Sequence, residues 1–217
     1  YKTSNLEVAV RSSAIAEDLP NASFAGQQDT FLNVRGVEAL LRLVIDCFAS
    51  LFNSRAISYR KTNNIELSEV KISVGIQKMV RSDLGSAGVA FSLDTETGYD
   101  RSIIINSAFG LGEHVVSGSV KPDEFIVDKR ALQNNKFAII GKKLGNKIDK
   151  IVYDVNGGII MKHTSVNELK SHSLTDDQIL FLAGCVDRLE VNYSILLKKQ
   201  TGVDIEWALD GTDNKIY

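Results

Sequence analysis

Residues 8–30 read Val-Ala-Val-Arg-Ser-Ser-Ala-Ile-Ala-Glu-Asp-Leu-Pro-Asn-Ala-Ser-Phe-Ala-Gly-Gln-Gln-Asp-Thr. They open as a strand, because Val8 and Val10 alternate with Glu7, Ala9 and Arg11 in the period-2 pattern of a half-buried β-segment. The strand runs into Arg11-Ser12-Ser13, a permanent cation followed by two hydroxyls and their backbone N–H groups. Glu17-Asp18, Pro20 and an Ala25-Gly26-Gln27-Gln28 turn come next. A guanidinium donates in a rigid fork that matches phosphate oxygens, and glycine lets backbone N–H groups approach an anion closely. The same residues also suit an ordinary strand and loop with a surface arginine, and the triplet alone does not separate the two.

Outward from this strand, residues 31–34 predict a second one. Val37, Leu40, Leu41, Val44, Phe48, Leu51 and Phe52 then fall at i, i+3, i+4, i+7, i+11, i+14 and i+15. That is one face of an amphipathic helix with Arg42 and Asp46 opposite, and the stripe is expected to be core. Period-2 and β-branched runs predict further strands at 72–80, 88–93, 101–108, 124–129, 137–140, 150–153 and 159–162. Thr175-Asp176-Asp177-Gln178 is a capping box that opens a second long helix with Ile179, Leu182, Ala183, Val186, Leu189 and Tyr193 as its apolar stripe. Residues 203–208 predict a strand, Asp210-Gly211 a turn, and Lys215-Ile216-Tyr217 the start of a returning strand. Strands that pair mostly with neighbours, plus two long helices, define an α+β class with antiparallel sheets.

Composition bounds the function classes. A chain of 217 residues suits one large domain or two small ones. A net charge of −2 leaves no electrostatic footprint for nucleic acid or an anionic membrane. No apolar run is long enough to span a bilayer, and the first residues lack the shape of a signal peptide. Cys47 and Cys185 lie in predicted helices among apolar residues, which predicts buried thiols and a cytoplasmic location. His114, His163 and His172 have no acidic or cysteine partner at ligand spacing, so they read as structural or surface residues.

Three further features could carry chemistry. In a strand, positions i and i+2 share a face, so Val203, Ile205 and Trp207 can pack inward while Asp204 and Glu206 project together. Two like charges side by side cost energy unless a cation offsets them, and a Mg²⁺ bridging them to phosphate would do so. A solvent-facing acidic pair on an edge strand is the plainer reading of the same pattern. Gly110-Leu111-Gly112-Glu113 follows a strand and precedes a helix, a weak candidate for an anion site. Lys142-Lys143-Leu144-Gly145-Asn146-Lys147 reads as a solvated turn, with a mobile basic flap over phosphates as the second reading.

Several blocks together resemble the nucleotide-binding domain of the phosphoenolpyruvate synthase and pyruvate phosphate dikinase family. They are residues 11–14, 17–20 and 23–30, Ser-Leu-Phe-Asn-Ser-Arg-Ala-Ile-Ser-Tyr-Arg at 50–60, and Gln-Lys-Met-Val at 77–80. The resemblance continues through Gly-Leu-Gly-Glu at 110–113, Val-Lys-Pro-Asp-Glu at 120–124 and Asp-Ile-Glu-Trp-Ala at 204–208. It implies one ATP-grasp-like domain covering 1–217, incomplete at both ends, with ATP and Mg²⁺ as cofactors. It implies Arg11 as the catalytic cation on the transferring phosphate, Gly26, Gln27 and Thr30 along the same loop, and 77–80 as the hinge reading adenine. Gln77, Lys78, Met79 and Val80 would give the hinge its backbone hydrogen bonds and apolar wall. Glu113 would join the nucleotide site, and Asp204 and Glu206 would hold the metal.

The resemblance also implies partners outside the chain: a phosphohistidine domain, a pyruvate-binding domain, an upstream lysine segment and a downstream glutamine and arginine. Residues 194–201 look like an insertion relative to the family. The parent would convert ATP, pyruvate and water to phosphoenolpyruvate, AMP and phosphate, while these residues alone would bind ATP weakly and not turn over. A rifamycin phosphotransferase-like enzyme with another acceptor, or a non-catalytic ATP-sensing module, fits the same blocks less well.

Overall fold

The computed structural model of the chain describes residues 6–14, 18–19, 22–23 and 29–217. They fall into two compact units, Tyr1–Met79 with Tyr153–Ile159, and Val80–Val152 with Ile160–Tyr217. Sheets and helices are mixed in both, and the strands of the described residues pair antiparallel in both main sheets, in keeping with the α+β reading.

The first unit contains β1 (Val8–Ala14), β2 (Asp18–Leu19), β3 (Ala22–Ser23), β4 (Thr30–Val34), α1 (Val37–Ala49), α2 (Ser54–Thr62) and β5 (Ile72–Lys78). β1 is the central strand of the sheet β4-β1-β5, while β2 and β3 pair with each other. Val10, Val34 and Cys47 are buried where α1 meets this sheet, with Leu40, Leu43 and Val44 packed around them. The expected core stripe of α1 is therefore only partly right. Leu40, Val44 and Leu51 face inward, but Val37, Leu41, Phe48 and Phe52 are exposed, at 44–67 % of their surface. The helix is apolar on two adjoining faces, and the sheet covers one of them. Cys47 is fully buried as expected; burial, with Asp29 and Asp46 adding to it, pushes its thiol pKa up, which leaves it a poor nucleophile. Cys185 departs from that expectation, being only half-buried with its sulfur 3.4 Å from Arg188 Nη2.

The second unit is built on β6 (Ser86–Phe91), β7 (Ser102–Phe109), α3 (Glu113–Val116), β8 (Asp123–Asp128), α4 (Lys129–Gln133) and β9 (Ile139–Lys143). β10 (Asp149–Tyr153), β11 (Ile159–His163), α5 (Val166–Lys170), α6 (Asp176–Leu197) and β12 (Asp204–Leu209) complete it, apart from the tip of the β10–β11 hairpin, which groups with the first unit. The main sheet has the order β12-β6-β7-β8-β9. Its inner face is fixed by alternation: Ala90, Ile105, Phe125 and Trp207 lie under the apolar side of α6, where Ile179, Leu182, Ala183 and Val186 are buried. α6 starts with the expected capping box, the Thr175 side chain accepting from Gln178 N and the Gln178 side chain accepting from Thr175 N. Gly88 faces Trp207 in register, and a Cβ there would fall 1.9 Å from the Asn106 carbonyl oxygen, so only glycine lets β6 lie this close to β7.

The basic segment 142–147 is exposed at Lys142, Lys143, Leu144 and Asn146, as the solvated-turn reading expects, but Lys147 departs from it. Lys147 is 1 % exposed and ion-paired with the fully buried Asp123. The other bonds to that carboxylate come from Gly145 N at 2.8 Å, Ser173 N at 2.8 Å and the Ser173 hydroxyl at 2.7 Å. Lys142 pairs with Asp176, and Lys143 lies 3.8 Å from Glu124. A buried carboxylate needs this many donors because desolvation otherwise outweighs any single attraction. Lys147→Met keeps the volume and strands the Asp123 charge. It is expected to destabilise the protein by about 3–5 kcal/mol, the usual cost of breaking a buried pair. Urea denaturation measures this, and a loss below about 1 kcal/mol would show that the pair is not structural.

Candidate functional site

In the first unit the candidate residues line the central sheet. Arg11 on β1 is exposed, with Thr30 of β4 opposite on one side and Gly75 of β5 on the other. A Cβ at Gly75 would sit 3.6 Å from Arg11 Cγ, an ordinary contact distance, so the arginine stem lies directly over this position. Among the described residues none forms an ion pair or hydrogen bond with the guanidinium. Gly26 and Gln27 lie outside the described residues. Gln77 and Lys78 close β5 opposite Ala9 and Val8, both exposed. Met79 is half-buried and its N–H donates to Glu7 O at 3.0 Å.

In the second unit, Val80 is half-buried and its carbonyl accepts from Ser82 N at 2.8 Å. Asp204 and Glu206 are exposed at the start of β12, while Ile205, Trp207 and Leu209 pack into the core on the opposite face. The spacing argument is therefore met in its geometry: the two carboxylates share the face turned away from α6. No described residue pairs with either of them. Across the sheet, Glu206 is followed in register by Val89, Asn106, Glu124 and Lys143. α3 packs on β6 and β7, and the position of a Gly112 Cβ would be 3.5 Å from Ala87 Cβ, on this same face. Glu113, the exposed first residue of α3, thus belongs to the face that carries Glu206. The four-residue helix is too short to concentrate positive potential at its N-terminus, which weakens the anion-site reading of 110–113. Gly110 has φ +92°, a left-handed turn that lets Leu111 N donate to Ile151 O at 2.9 Å and directs the chain over the sheet.

Asn106 escaped the sequence reading. It is half-buried in the row beside Val89, and the clue was present as a lone amide ending the run Ile103-Ile104-Ile105. The described residues contain no group of three or more His, Cys, Asp or Glu side chains placed to hold a metal, so the acidic pair stands as two carboxylates. His163 lies 2.6 Å from Asp149, and His172 packs edge-on against Phe125 with its Nδ1 4.0 Å from Asp123. No helix among the described residues is long and apolar enough to cross a membrane.

An antiparallel sheet whose open face gathers uncompensated carboxylates suits nucleotide phosphates and their cation better than an apolar ligand. Comparison with known proteins gives the class directly. Residues 1–217 match the family described as pyruvate phosphate dikinase, AMP/ATP-binding domain, and the chain belongs to that family. It is similar to the phosphoenolpyruvate synthase of Helicobacter pylori, with 49 % identity over 223 residues, covering all of this chain and 27 % of that protein. The corresponding enzyme of Aquifex aeolicus is 51 % identical over 219 residues, covering 100 % and 26 %, and that of Escherichia coli is 46 % identical over 217 residues, covering 98 % and 27 %. The chain thus spans about a quarter of the length of these relatives.

Asp210, four residues after Glu206, leads into the expected turn, which spans residues 211–213. It is 8 % exposed and accepts from Arg81 N at 3.1 Å, Thr212 N at 2.8 Å and the Thr212 hydroxyl, tying off the end of β12. Burial works against its ionised form, but the donors from Thr212, Arg81 and Asp213 outweigh it and bring the carboxyl pKa down to about 2. A depressed carboxylate contributes stability that is present above its unfolded pKa of about 3.9 and lost as pH falls through the folded value. Asp210→Asn is therefore expected to lower stability at pH 7, with the difference from the unsubstituted protein shrinking between about pH 4 and pH 2. Denaturant midpoints across that range test it; a pH-independent difference would refute the charge-based account.

Proposed function

We propose that this chain is the ATP-binding part of an enzyme that makes phosphoenolpyruvate from pyruvate, ATP and water, releasing AMP and phosphate, with an ATP-grasp-like arrangement of one domain. The phosphoryl group would travel on a histidine outside these residues, and the enzyme would work in the cytoplasm. Family membership supports the nucleotide, and the relatives' names support the reaction. The observation that carries the site is the pair Asp204 and Glu206 on one open sheet face without a described cationic partner.

Two adjacent hard oxygen ligands fit Mg²⁺, which takes one or two carboxylates and completes its shell with phosphate oxygens and water. When bound there, the ion would neutralise phosphate charge. Asp204 and Glu206 would hold it, Asn106 and Glu113 border the same face, and the Arg11 guanidinium, which has no partner among the described residues, would stabilise charge on the transferring phosphoryl group. Thr30 adds a hydroxyl beside Arg11, with Gly26 and Gln27 supplying loop donors. Residues 77–80 receive the adenine, through backbone groups of Lys78 and Val80 and the apolar side chains of Met79 and Val80.

Two measurements on the full-length protein test this. Glu206→Gln keeps the shape and removes the charge a hard cation prefers, so the Mg²⁺ requirement should rise and turnover should fall together. Glu96→Gln, in an exposed turn, is the control; Asp210 cannot serve because its carboxylate is structural. Identical Mg²⁺ titrations for the two variants would remove the metal assignment. Arg11→Ala should cost turnover on the order of 10²-fold or more while changing ATP affinity less, because its interaction grows in the transition state. Near-normal turnover with only a raised KM for ATP would contradict that role.

A further inference from the structure

Two turns of the second unit are locked against each other, one that follows Val80 and one that follows β12. Arg81 is held on both sides of its backbone: its N–H donates to Asp210 Oδ2 at 3.1 Å, and its carbonyl accepts from Gly211 N at 3.1 Å. Its guanidinium forks onto the buried Asp83, with Nε and Nη2 at 2.8 and 3.0 Å from the two carboxylate oxygens. Ser82–Leu84 form one 3₁₀ turn, and Gly85 leads into β6, whose Ser86 pairs with Leu209 of β12. The approach is as close as backbone permits. A Cβ at Gly85 would fall 2.3 Å from Leu209 O, and one at Gly211 2.3 Å from Leu84 O, so each turn needs a glycine to admit the other.

The turn after β12 does not need Arg81 in order to close. Asn214 N donates to Asp210 O and Asp210 N to Lys215 O, both at 2.9 Å, and Thr212 occupies Asp210 Oδ1. The second carboxylate oxygen is spent on Arg81 alone. We infer that Asp210 is a positioning residue for the nucleotide: through Arg81 it fixes the backbone at Val80 relative to Asp204 and Glu206, and so sets the spacing between the base end and the metal end of bound ATP. The inference rests on the proposed placement of adenine at 77–80 and of the metal at Asp204 and Glu206. Val80 directly precedes Arg81, and Glu206 lies four residues before Asp210 on a strand paired with β6 throughout its length. A paired strand hardly stretches, so tying Asp210 to Arg81 ties Glu206 to Val80. A ligand that must touch both ends gains from a fixed span, because its second contact needs no further ordering of the protein. A base alone, or a polyphosphate alone, gains nothing from it.

The test measures binding of three probes to the full-length protein: ATP with Mg²⁺, adenosine, and tripolyphosphate with Mg²⁺. In Asp210→Asn the dissociation constant for ATP should rise at least about tenfold, while those for adenosine and tripolyphosphate change by less than about twofold. Gly85→Ala wedges the same turns apart by bulk rather than by charge, and the same pattern is expected. Thr212→Val loosens the turn but keeps the Arg81 bonds, so its ATP affinity should stay within about twofold of the unsubstituted protein. Unchanged ATP binding in Asp210→Asn and Gly85→Ala would overturn the inference. So would an equal weakening of adenosine or tripolyphosphate, or as large a loss of ATP affinity in Thr212→Val. Hydrogen exchange separates this from the adenine assignment: adenosine should slow exchange of the 77–80 amides in the unsubstituted protein. No slowing there would remove that assignment and the inference with it. Slowing together with normal ATP affinity in Asp210→Asn would remove the spacing role alone.

Discussion

Ile105 and Phe125 face each other across β7 and β8, and neither has any surface in contact with solvent. Ile179, Leu182 and Val186 of α6 cover them, and that burial is the constraint from which the second unit follows. Side chains alternate along a strand, so once this face is closed to water, every second residue of β12, β6, β7 and β8 faces the core. The remaining residues must lie on the other face. Asp204 and Glu206 are thrown together there by the same packing that buries Trp207 and Leu209 between and beyond them. A slip of one residue in β12 would put both carboxylates into the core and Trp207 into water, which makes the register energetically secure.

The closed face contains a fully buried charge, and it has a structural reason. Asp123 lies in register with Ser107 at the end of β8, beneath the loop leading into α6. Its oxygens are shared among Lys147, Gly145 N and both donors of Ser173, and Ser173 Oγ is also 2.7 Å from Ser107 Oγ. These bonds gather three separate segments, at 123, 145–147 and 173, around a single buried charge. Apolar packing is indifferent to small slides, whereas a carboxylate with fixed donors is not. Asp123 therefore fixes where the β9–β10 connection and the start of α6 lie relative to the sheet.

Much of this was legible in the sequence because it rests on local periodicity. The alternation at 203–208, the capping box at Thr175 and the Ile103-Ile104-Ile105 run each stated their structure with only small shifts of boundary. What was not legible depends on partners distant in the chain. The pattern of α1 shows that the helix is apolar over a broad arc, but which part of the arc is covered depends on the width of the sheet opposite. Lys147 looks like any surface lysine until Asp123, 24 residues earlier, is placed beside it. Asn106 was hidden for the converse reason, as its position beside Val89 and Glu124 is a property of cross-strand register.

The charged residues themselves divide by whether the fold has already used them. Asp210, Asp123 and Glu168 have their oxygens bonded to protein donors; for Glu168 burial is opposed by Lys150 and Ser165, and its pKa is lowered. Such groups cannot bind a ligand without giving up bonds that hold a strand end, a loop or a helix cap. Arg11, Asp204 and Glu206 make no such bonds to the described residues. Among the described residues, therefore, an incoming phosphate or cation would have no protein partner to displace from them. Removing hydration water costs less than breaking a satisfied internal pair, and the net attraction to a highly charged ligand is correspondingly larger. Asp210 and Glu206 stand four residues apart and differ by one methylene, so composition cannot separate them. The hydrogen-bond partners do: they assign Asp210 to the fold, whereas Glu206 has no side-chain partner among the described residues.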